Sequence, residues 1–157
     1  MEKKIENYEQ AKDKALRLLT FRAHSEKELS DKLKRYGASI ENIEEVLDFC
    51  RRYNFVNDLQ YAKIKARDLK NLKKYGRRRI EAELYSKGIS SEYISEAVSE
   101  IEFDNESELM PLVQKKLGGD FEKKSIDRCI RYFMYRGYEL RDIKECIGLL
   151  KEDIDEL

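Results

Sequence analysis

Three glycines recur along the chain, each followed and preceded by the same kinds of apolar residue. Gly37, Gly88 and Gly137 lie 51 and 49 residues apart in a chain of 157 residues. A large apolar residue stands four positions before each glycine, and an isoleucine stands six positions after it. These residues are Leu33, Leu84 and Phe133 before the glycines, and Ile43, Ile94 and Ile143 after them. A period near fifty residues is typical of stacked supersecondary units. The spacing therefore predicts a repeat protein, a class that usually presents long surfaces to its partners.

The composition favours helix along the whole chain. Charged residues make up 41% of the sequence, against roughly 25% in an average domain, and there is a single proline. Apolar residues recur at helical spacing, and no segment shows the sustained alternation of a strand. We therefore predict an all-α fold made of three tandem three-helix repeats that form an elongated, curved array. The predicted boundaries are 1–53, with an N-terminal extension, then 54–103 and 104–157.

Several residues mark the predicted helix ends. Ser25 and Glu28 form a capping-box pattern, which predicts that a helix begins at His24-Ser25. Gly37 can end that helix in a left-handed conformation, and Ser39 is a suitable N-cap for the next helix. In the second repeat, we predict that Asp58 caps the first helix.

The charges are segregated, although the 32 basic and 32 acidic residues cancel. Residues 61–88 carry a net charge of +7 and residues 89–109 a net charge of −7. Residues 110–141 return to +4, and residues 142–157 fall to −4. In the second and third repeats, the first two helices are therefore basic and the third is acidic. Such segregation can steer charged partners to one side of a molecule.

The densest basic block runs from Lys70 to Arg79 and contains Tyr75. Its cations could neutralise phosphates while Tyr75 stacks on a base, or they could pair with carboxylates on an acidic protein surface. A solvated helix face is the third interpretation. Arg77, Arg78 and Arg79 stand at a predicted helix start, where positive charge opposes the helix dipole. That unfavourable placement favours a binding role.

The sequence offers no catalytic, cofactor or metal site. His24 is the only histidine, and we interpret it as structural or solvent-exposed. The phosphate-binding loops, nucleophile elbows and zinc-binding patterns of known enzymes are missing. Tyr132, Phe133 and Tyr135 are interpreted as packing residues, because aromatic residues at helical spacing most often belong to a core. We expect a protein that is not an enzyme.

The cysteines and the hydropathy pattern indicate a cytosolic protein. Cys50, Cys129 and Cys146 form no CxxC pair, and we expect them to be buried, reduced thiols. No apolar run approaches the roughly 18 residues needed to span a membrane, and no signal-peptide pattern opens the chain. We expect a cytoplasmic location and no membrane partner.

Three stretches of the chain carry a family resemblance. The first holds Ala15-Leu16-Arg17-Leu18-Leu19, Arg22, His24-Ser25-Glu26, Glu28-Leu29 and Lys32-Leu33. The second holds Phe55-Val56-Asn57-Asp58, Tyr61-Ala62, Lys74-Tyr75-Gly76, Ile80, Glu83-Leu84 and Lys87-Gly88-Ile89-Ser90. The third holds Arg131-Tyr132-Phe133, Tyr135-Arg136-Gly137-Tyr138 and Asp142-Ile143. In this order and spacing, they resemble the RecX family over about residues 10–150. Asn54-Phe55, where the family often has Gly-Tyr or Gly-Leu, and Pro111 in the third repeat's first helix depart from its pattern.

The resemblance implies a bacterial cytoplasmic regulator of the recombinase RecA, built from tandem three-helix repeats. Such proteins lie along the groove of the RecA–single-stranded-DNA filament. They usually inhibit strand exchange, ATP hydrolysis and LexA cleavage, and so control DNA recombination, DNA repair and the SOS response. The implied partner is the RecA nucleoprotein filament, with weak binding to single- or double-stranded DNA as a further expectation. We expect a monomer.

Ten basic residues form the predicted partner-binding face. Five come from stretches that match the family, and five come from the charge block alone. They are Arg17, Arg22, Lys74, Arg131 and Arg136, and Lys70, Lys73, Arg77, Arg78 and Arg79. Two other functions stay open on the residues alone. One is a stand-alone, weak nucleic-acid-binding helical repeat module, and the other is a scaffold for an unrelated partner.

Overall fold

The described chain, residues 4–156 of a computed structural model, is helical throughout and contains no strand. The prediction of an all-α fold is confirmed. A π-helical turn at Asn105–Leu109 leads directly into the seventh helix. Residues 4–156 form nine α-helices, which are α1 (Tyr8–Phe21), α2 (Glu26–Arg35), α3 (Ile40–Arg52), α4 (Asp58–Asn71), α5 (Arg77–Ser86), α6 (Ser91–Ser99), α7 (Met110–Leu117), α8 (Lys123–Tyr135) and α9 (Leu140–Asp155).

The helices are distributed over two compact units. The first consists of Met1–Lys65 with Leu84–Ala97, and the second of Ala66–Glu83 with Val98–Leu157. The division passes through α4, α5 and α6, so each unit contains one complete three-helix group and part of the central one. The three repeat boundaries stay a prediction.

In the first unit, α1, α2 and α3 enclose an apolar core. Leu33, Ile43 and Leu47, which the repeat pattern marks as apolar, are all buried there. Ala11 and Ala15 are fully buried on α1, where their small side chains allow close helix packing. The core is completed by Ile5, Leu29, Ala38, Val46, Cys50 and Val56.

The second unit has its own core between α7, α8 and α9. The repeat positions Phe133, Ile143 and Ile147 are buried in it, together with Cys129 and Cys146. Along with Cys50, these are free buried thiols, as predicted from the sequence. Burial raises the pKa of the Cys146 thiol to about 11, so it stays protonated at neutral pH.

Most helix ends follow the predicted capping residues, but one does not. Ser25 makes the predicted capping box with Glu28, and Ser39 caps α3. The prediction that Asp58 caps α4 is wrong. The Asn57 side chain accepts from the Gln60 N–H at 3.1 Å, so Asn57 holds the N-cap position. The Asp58 carboxylate instead accepts the first free N–H of α2, at Glu26, at 2.9 Å.

Pro111 lies at the start of α7, directly after the π-helical turn. Proline lies within the first two residues of that helix, where its missing N–H would have no intrahelical partner. The Asp104 side chain accepts from the backbone N–H groups of Glu106 and Ser107 and so caps the π-helical turn.

The loop at each repeat glycine receives a hydrogen bond from another segment of the same unit. In every case the acceptor is the backbone carbonyl of the residue just before the glycine. The donors are Ile5 N–H to Tyr36 at 2.8 Å, Ser25 Oγ–H to Lys87 at 2.6 Å, and Gly76 N–H to Arg136 at 2.8 Å. The glycine loops are thus docking points as well as helix ends.

Another residue also lies against each of these glycines: the Lys4 side chain on Gly37, the Lys27 side chain on Gly88, and the backbone nitrogen and Cβ of Arg79 on Gly137. All three glycines have a positive φ, as the left-handed helix end requires. Glycine is therefore required at these positions for a second reason, because any side chain would displace the docked segment.

Candidate binding surface

The basic block of the second unit surrounds the loop between α4 and α5. Lys74 has a left-handed φ of 59°, and α5 begins at Arg77 as predicted. Backbone carbonyls of the α8–α9 loop accept the first free N–H groups of α5. Gly76 donates to Arg136, and Arg78 donates to Gly137 at 3.1 Å. These carbonyls satisfy the start of α5, although no acidic residue occupies its first turn.

Arg79 is a structural residue within the predicted face. Its guanidinium pairs with Glu83 at 3.0 Å and donates to the Tyr135 carbonyl at 3.2 Å. It also lies 4.8 Å from the Tyr75 ring centroid and 4.7 Å from that of Tyr135. The hydrogen bonds to Glu83 and Tyr135 raise the pKa of Arg79. These contacts hold α5 to the end of α8.

Arg136 has a similar structural role. It donates to the Lys73 carbonyl and lies between two aromatic rings, 5.1 Å from the Tyr75 centroid and 5.5 Å from the Tyr132 centroid. Because Tyr75 faces both Arg79 and Arg136, its ring is already in contact with two cations. The base-stacking function of Tyr75 stays a prediction.

Two of the other predicted residues, Arg77 and Arg78, have partners but remain accessible, whereas the Lys70 side chain is only 16% exposed. Lys70 pairs with Glu108 at 3.1 Å, and the Arg77 guanidinium lies 4.7 Å from the Phe103 ring centroid. Arg78 pairs with Glu139 at 2.7 Å, and both of these side chains are well exposed. Exposed ion pairs contribute little to stability, so a partner can replace them at low cost.

The remaining predicted cations of this unit are free. Lys73, Lys74 and Arg131 are exposed, and none has an acidic partner within 4 Å among residues 4–156. Lys124 and Arg128 on α8 are equally exposed and equally unpaired in that range. The sequence interpretation missed Lys124 and Arg128 because it kept only cations inside matched motifs and the densest block. Arg128 and Arg131 lie four and seven residues after Lys124, and this helical spacing would have placed the three cations on one face of the helix.

Arg17 and Arg22 belong to the first unit, whereas the other eight predicted residues belong to the second. Arg17 is exposed on α1. Arg22 pairs with Glu28 at 2.8 Å, and this hydrogen bond raises the pKa of Arg22. Arg22 is therefore committed to an internal contact.

Glu28 is the centre of a polar network at the junction of α1, α2 and α4. Its burial opposes ionisation, but hydrogen bonds from Arg22, Tyr61 and the Ser25 N–H outweigh that effect and lower the pKa of Glu28 to about 2. Burial, followed by the hydrogen bond to Glu28, raises the pKa of Tyr61 far above its usual range. His24, next to this network, is 2% exposed, which agrees with the structural interpretation.

The three aromatic residues of α8 differ in their surroundings. Phe133 is buried in the core, as predicted. For Tyr135 the prediction of a packing role is wrong, because 74% of this residue is exposed. Tyr132 is intermediate: it is 39% exposed, and the Lys116 ammonium lies 4.0 Å from its ring centroid.

Among residues 4–156, no group of three or more histidine, cysteine, aspartate or glutamate side chains could hold a metal ion. Within the same range, no helix is long and apolar enough to cross a membrane.

Comparisons with known proteins give the same family at the level of domains and sequence. The model described as RecX, first three-helix domain, matches residues 11–50, and the model for RecX, second three-helix domain, matches residues 57–98. "Regulatory protein RecX" of Clostridioides difficile (strain 630) is 37% identical over 92% of this chain and 70% of that protein. The protein of the same name from Vibrio parahaemolyticus is 34% identical over 91% of this chain and 93% of that protein.

The fold agrees with a solved structure. The crystal structure of RecX from Lactobacillus salivarius superimposes with a TM-score of 0.78 at 20% identity, covering 92% of this chain and 96% of that one. Tandem three-helix domains are therefore established for the first two groups of helices, and the assignment of α7–α9 to a third such domain stays a prediction. The chain belongs to the RecX family.

Proposed function

We propose that this protein is a cytoplasmic regulator of the recombinase RecA that binds in the groove of the RecA–single-stranded-DNA filament. In this proposal it inhibits strand exchange, ATP hydrolysis and LexA cleavage, and so modulates recombination, repair and the SOS response. Membership of a family of regulatory proteins is the observation that carries the proposal.

The distribution of charge supports binding to a nucleoprotein filament. The middle helix of each three-helix group has a net positive charge: +1 for α2, +1 for α5 and +3 for α8. The third helix of each group has a net charge of −2. A filament offers acidic protein surface and phosphate in regular repetition, so several modest basic contacts can add up through multivalency.

The structure changes which cations we assign to the contact. Lys73, Lys74, Arg77 and Arg131 are exposed and have no acidic partner in the described part of the chain, so they can pair directly with a partner. Arg78 can exchange its exposed glutamate partner for a group on the filament. The Lys70 side chain is only 16% exposed and donates to the Glu102 carbonyl, so we assign it to the support of the surface. Arg79 and Arg136 hold the loops in place, and we assign them to the support of this surface.

Binding measured over a range of salt concentrations tests the proposal against simple DNA binding. The labelled protein is titrated with RecA filaments on single-stranded DNA and, separately, with the same DNA without RecA. Affinity for bare DNA should be weak and fall steeply with salt. Affinity for the filament should keep a component that depends on RecA and persists at salt concentrations where bare-DNA binding has vanished. Equal affinity for both at every salt concentration would contradict the proposal.

A further inference from the structure

The exposed face of α8 carries a line of cations that ends at an exposed aromatic ring. Lys124, Arg128, Arg131 and Tyr135 are separated by four, three and four residues, so they lie along one face of the helix. All four are exposed. Asp127 is the only acidic residue of α8, and it pairs with none of these cations. We call these four residues the α8 stripe.

The length of the stripe suits a short piece of a nucleic-acid strand. At a rise of about 1.5 Å per residue, Lys124 and Tyr135 lie about 16 Å apart along the helix axis. A strand that keeps a stacked spacing of about 3.4 Å per nucleotide passes about five phosphates over that distance. Three cations can therefore contact separate phosphates of one strand, with room left for a base at the tyrosine.

The tyrosine end of the stripe is held in place by its neighbours. The Arg79 guanidinium lies 4.7 Å from the Tyr135 ring centroid, which orders the ring while leaving most of it exposed. The α4–α5 loop lies against this end of α8, since Arg136 donates to the Lys73 carbonyl and the Tyr138 hydroxyl donates to the Lys74 carbonyl at 2.8 Å. The free cations Lys73 and Lys74 therefore belong to the same region.

We propose that the α8 stripe binds single-stranded nucleic acid. Lys124, Arg128 and Arg131 pair with consecutive or near-consecutive phosphates, and one base stacks on Tyr135. Cations combined with an exposed aromatic ring are the usual elements of single-strand recognition. An acidic protein surface would satisfy the three cations but would leave the exposed ring without a matching group. A duplex would offer phosphates but no unstacked base. The binding requires no RecA, so it is independent of the function proposed above.

The charge part of the proposal is tested by the salt dependence of binding. Fluorescence anisotropy with a labelled oligothymidylate of about 16 nucleotides gives the slope of log K against log salt. Each phosphate contact to a single strand contributes about 0.7 to that slope. The triple variant Lys124→Gln, Arg128→Gln, Arg131→Gln should therefore lower the magnitude of the slope by about 2. The matched control Arg141→Gln, Lys144→Gln, Lys151→Gln makes the same change of charge on exposed residues of α9.

The stacking part is tested at Tyr135 alone. A base–aromatic stack is strong enough that Tyr135→Leu should weaken binding about 5- to 100-fold, whereas Tyr135→Phe should keep nearly full affinity. Circular dichroism and thermal melting establish that each variant is folded.

Four results would overturn the proposal. The α9 control could lose as much slope as the α8 variant, which would make the binding a general charge effect. Tyr135→Leu could bind as tightly as Tyr135→Phe. A duplex of the same length could bind as tightly as the single strand. Finally, the folded α8 variant could keep its DNA affinity but lose binding to RecA filaments, which would assign the stripe to a protein partner. Normal inhibition of RecA by a folded Tyr135→Leu variant with weakened DNA binding would leave this proposal standing and separate it from the proposed function.

Discussion

His24 is held by two neighbours that require its imidazole to be neutral. Nδ1 lies 2.9 Å from the Arg22 carbonyl, which can only accept, so Nδ1 carries the proton. Nε2 lies 2.8 Å from the Lys32 ammonium, which can only donate, so Nε2 presents its lone pair. Burial lowers the pKa of His24, and the neighbouring Arg22 and Lys32 charges lower it further. Protonation would add an N–H at Nε2 that faces the Lys32 ammonium, so two donors would oppose each other.

We predict that the folded protein loses stability as the pH falls below about 6.5, the ordinary pKa of histidine. Because the pKa of His24 is lower in the folded state, the unfolded chain binds the extra proton first. The stabilising contribution is complete above that pH and declines as the pH falls toward the folded-state pKa. Urea unfolding between pH 5 and pH 8 measures this slope, at up to about 1.4 kcal/mol per pH unit.

The variant His24→Asn is the control for this prediction. Asparagine can still donate to the Arg22 carbonyl but does not titrate, so the variant should be less stable at pH 8 and show a shallower slope between pH 6.5 and pH 5. An unchanged slope would show that other groups cause the pH dependence. Glu28 acts at lower pH, because its stabilising contribution is complete above the ordinary glutamate pKa of about 4.3 and is lost as the pH falls toward its folded-state pKa of about 2.

Gly137 combines a left-handed backbone with a crowded surface, and we predict that Gly137→Ala is strongly destabilising. Its φ is +100°, and an added Cβ would collide with the backbone and Cβ of Arg79. Backbone strain alone should cost about 1–3 kcal/mol, and the displaced loop should add to that. Gly148→Ala is the matched control, because Gly148 lies within α9 and a Cβ there meets nothing within 4 Å. In chemical unfolding the control should be neutral or stabilising by up to about 1 kcal/mol. Equal stability of the two variants would contradict the docking function of the Gly137 loop.

At the scale of the helices, the residues just before α1 contact the Gly37 loop. The start of α2 contacts the Gly88 loop in the same way, and the start of α5 contacts the Gly137 loop. Ile5 donates its N–H to the Tyr36 carbonyl and is only 6% exposed. Lys4 lies across Gly37, as Lys27 lies across Gly88. Lys4 and Ile5 are therefore part of the folded unit, and Ile5 completes the core between α1, α2 and α3.

We predict that Ile5→Ala lowers the free energy of unfolding by about 2–5 kcal/mol, the usual cost of truncating a buried isoleucine. Ile40→Ala on α3 removes the same atoms from a residue that is 66% exposed. That control should change stability by no more than about 0.5 kcal/mol. A loss at Ile5 no larger than the loss at Ile40 would show that the segment does not belong to the core.

The helices and their buried positions could be predicted from the sequence because the signals are local. Leu29 and Leu33 lie four residues apart, at helical spacing, and Ser25 and Glu28 are close enough to form a capping box on their own. The N-cap of α4 could not be predicted in the same way. Asn57 and Asp58 are both good caps, and the choice depends on the Glu26 N–H, 32 residues away.

The candidate site was predictable in its charge but not in its accessibility. Nothing local in the sequence distinguishes Arg77 from Arg79. The first lies beside the Phe103 ring and has no acidic partner in the described range, whereas the second is fixed by the Tyr135 carbonyl and two aromatic rings. Those partners come from parts of the chain that only the fold brings close.

At the scale of the whole molecule, zero net charge conceals a regular alternation. The middle helix of each three-helix group is positive and the third is negative, so the charges cancel in the sum but not locally. An overall basic protein would bind any nucleic acid strongly. A neutral protein with exposed, unpaired cations at Lys73, Lys74 and Arg77 favours a partner that offers many contacts at once.

We predict that Lys73→Glu, Lys74→Glu, Arg77→Glu together weaken inhibition of RecA while the helix content stays unchanged. Exposed charge contacts contribute about 0.5 kcal/mol each, so losing three should cost on the order of tenfold in affinity. Arg79 is left intact, because its loss would also loosen the loops. The control is Arg141→Glu, Lys144→Glu, Lys151→Glu on α9, which should inhibit like the unchanged protein. Equal inhibition by both folded variants would show that Lys73, Lys74 and Arg77 do not contact the filament.

The most direct test of RecA regulation is the rate of ATP hydrolysis by RecA on single-stranded DNA as the purified protein is added. We predict that the rate falls progressively as the protein is added. The variant Lys73→Glu, Lys74→Glu, Arg77→Glu should need about tenfold more protein for the same effect. A hydrolysis rate that stays constant at stoichiometric excess of the folded protein would contradict the proposed function.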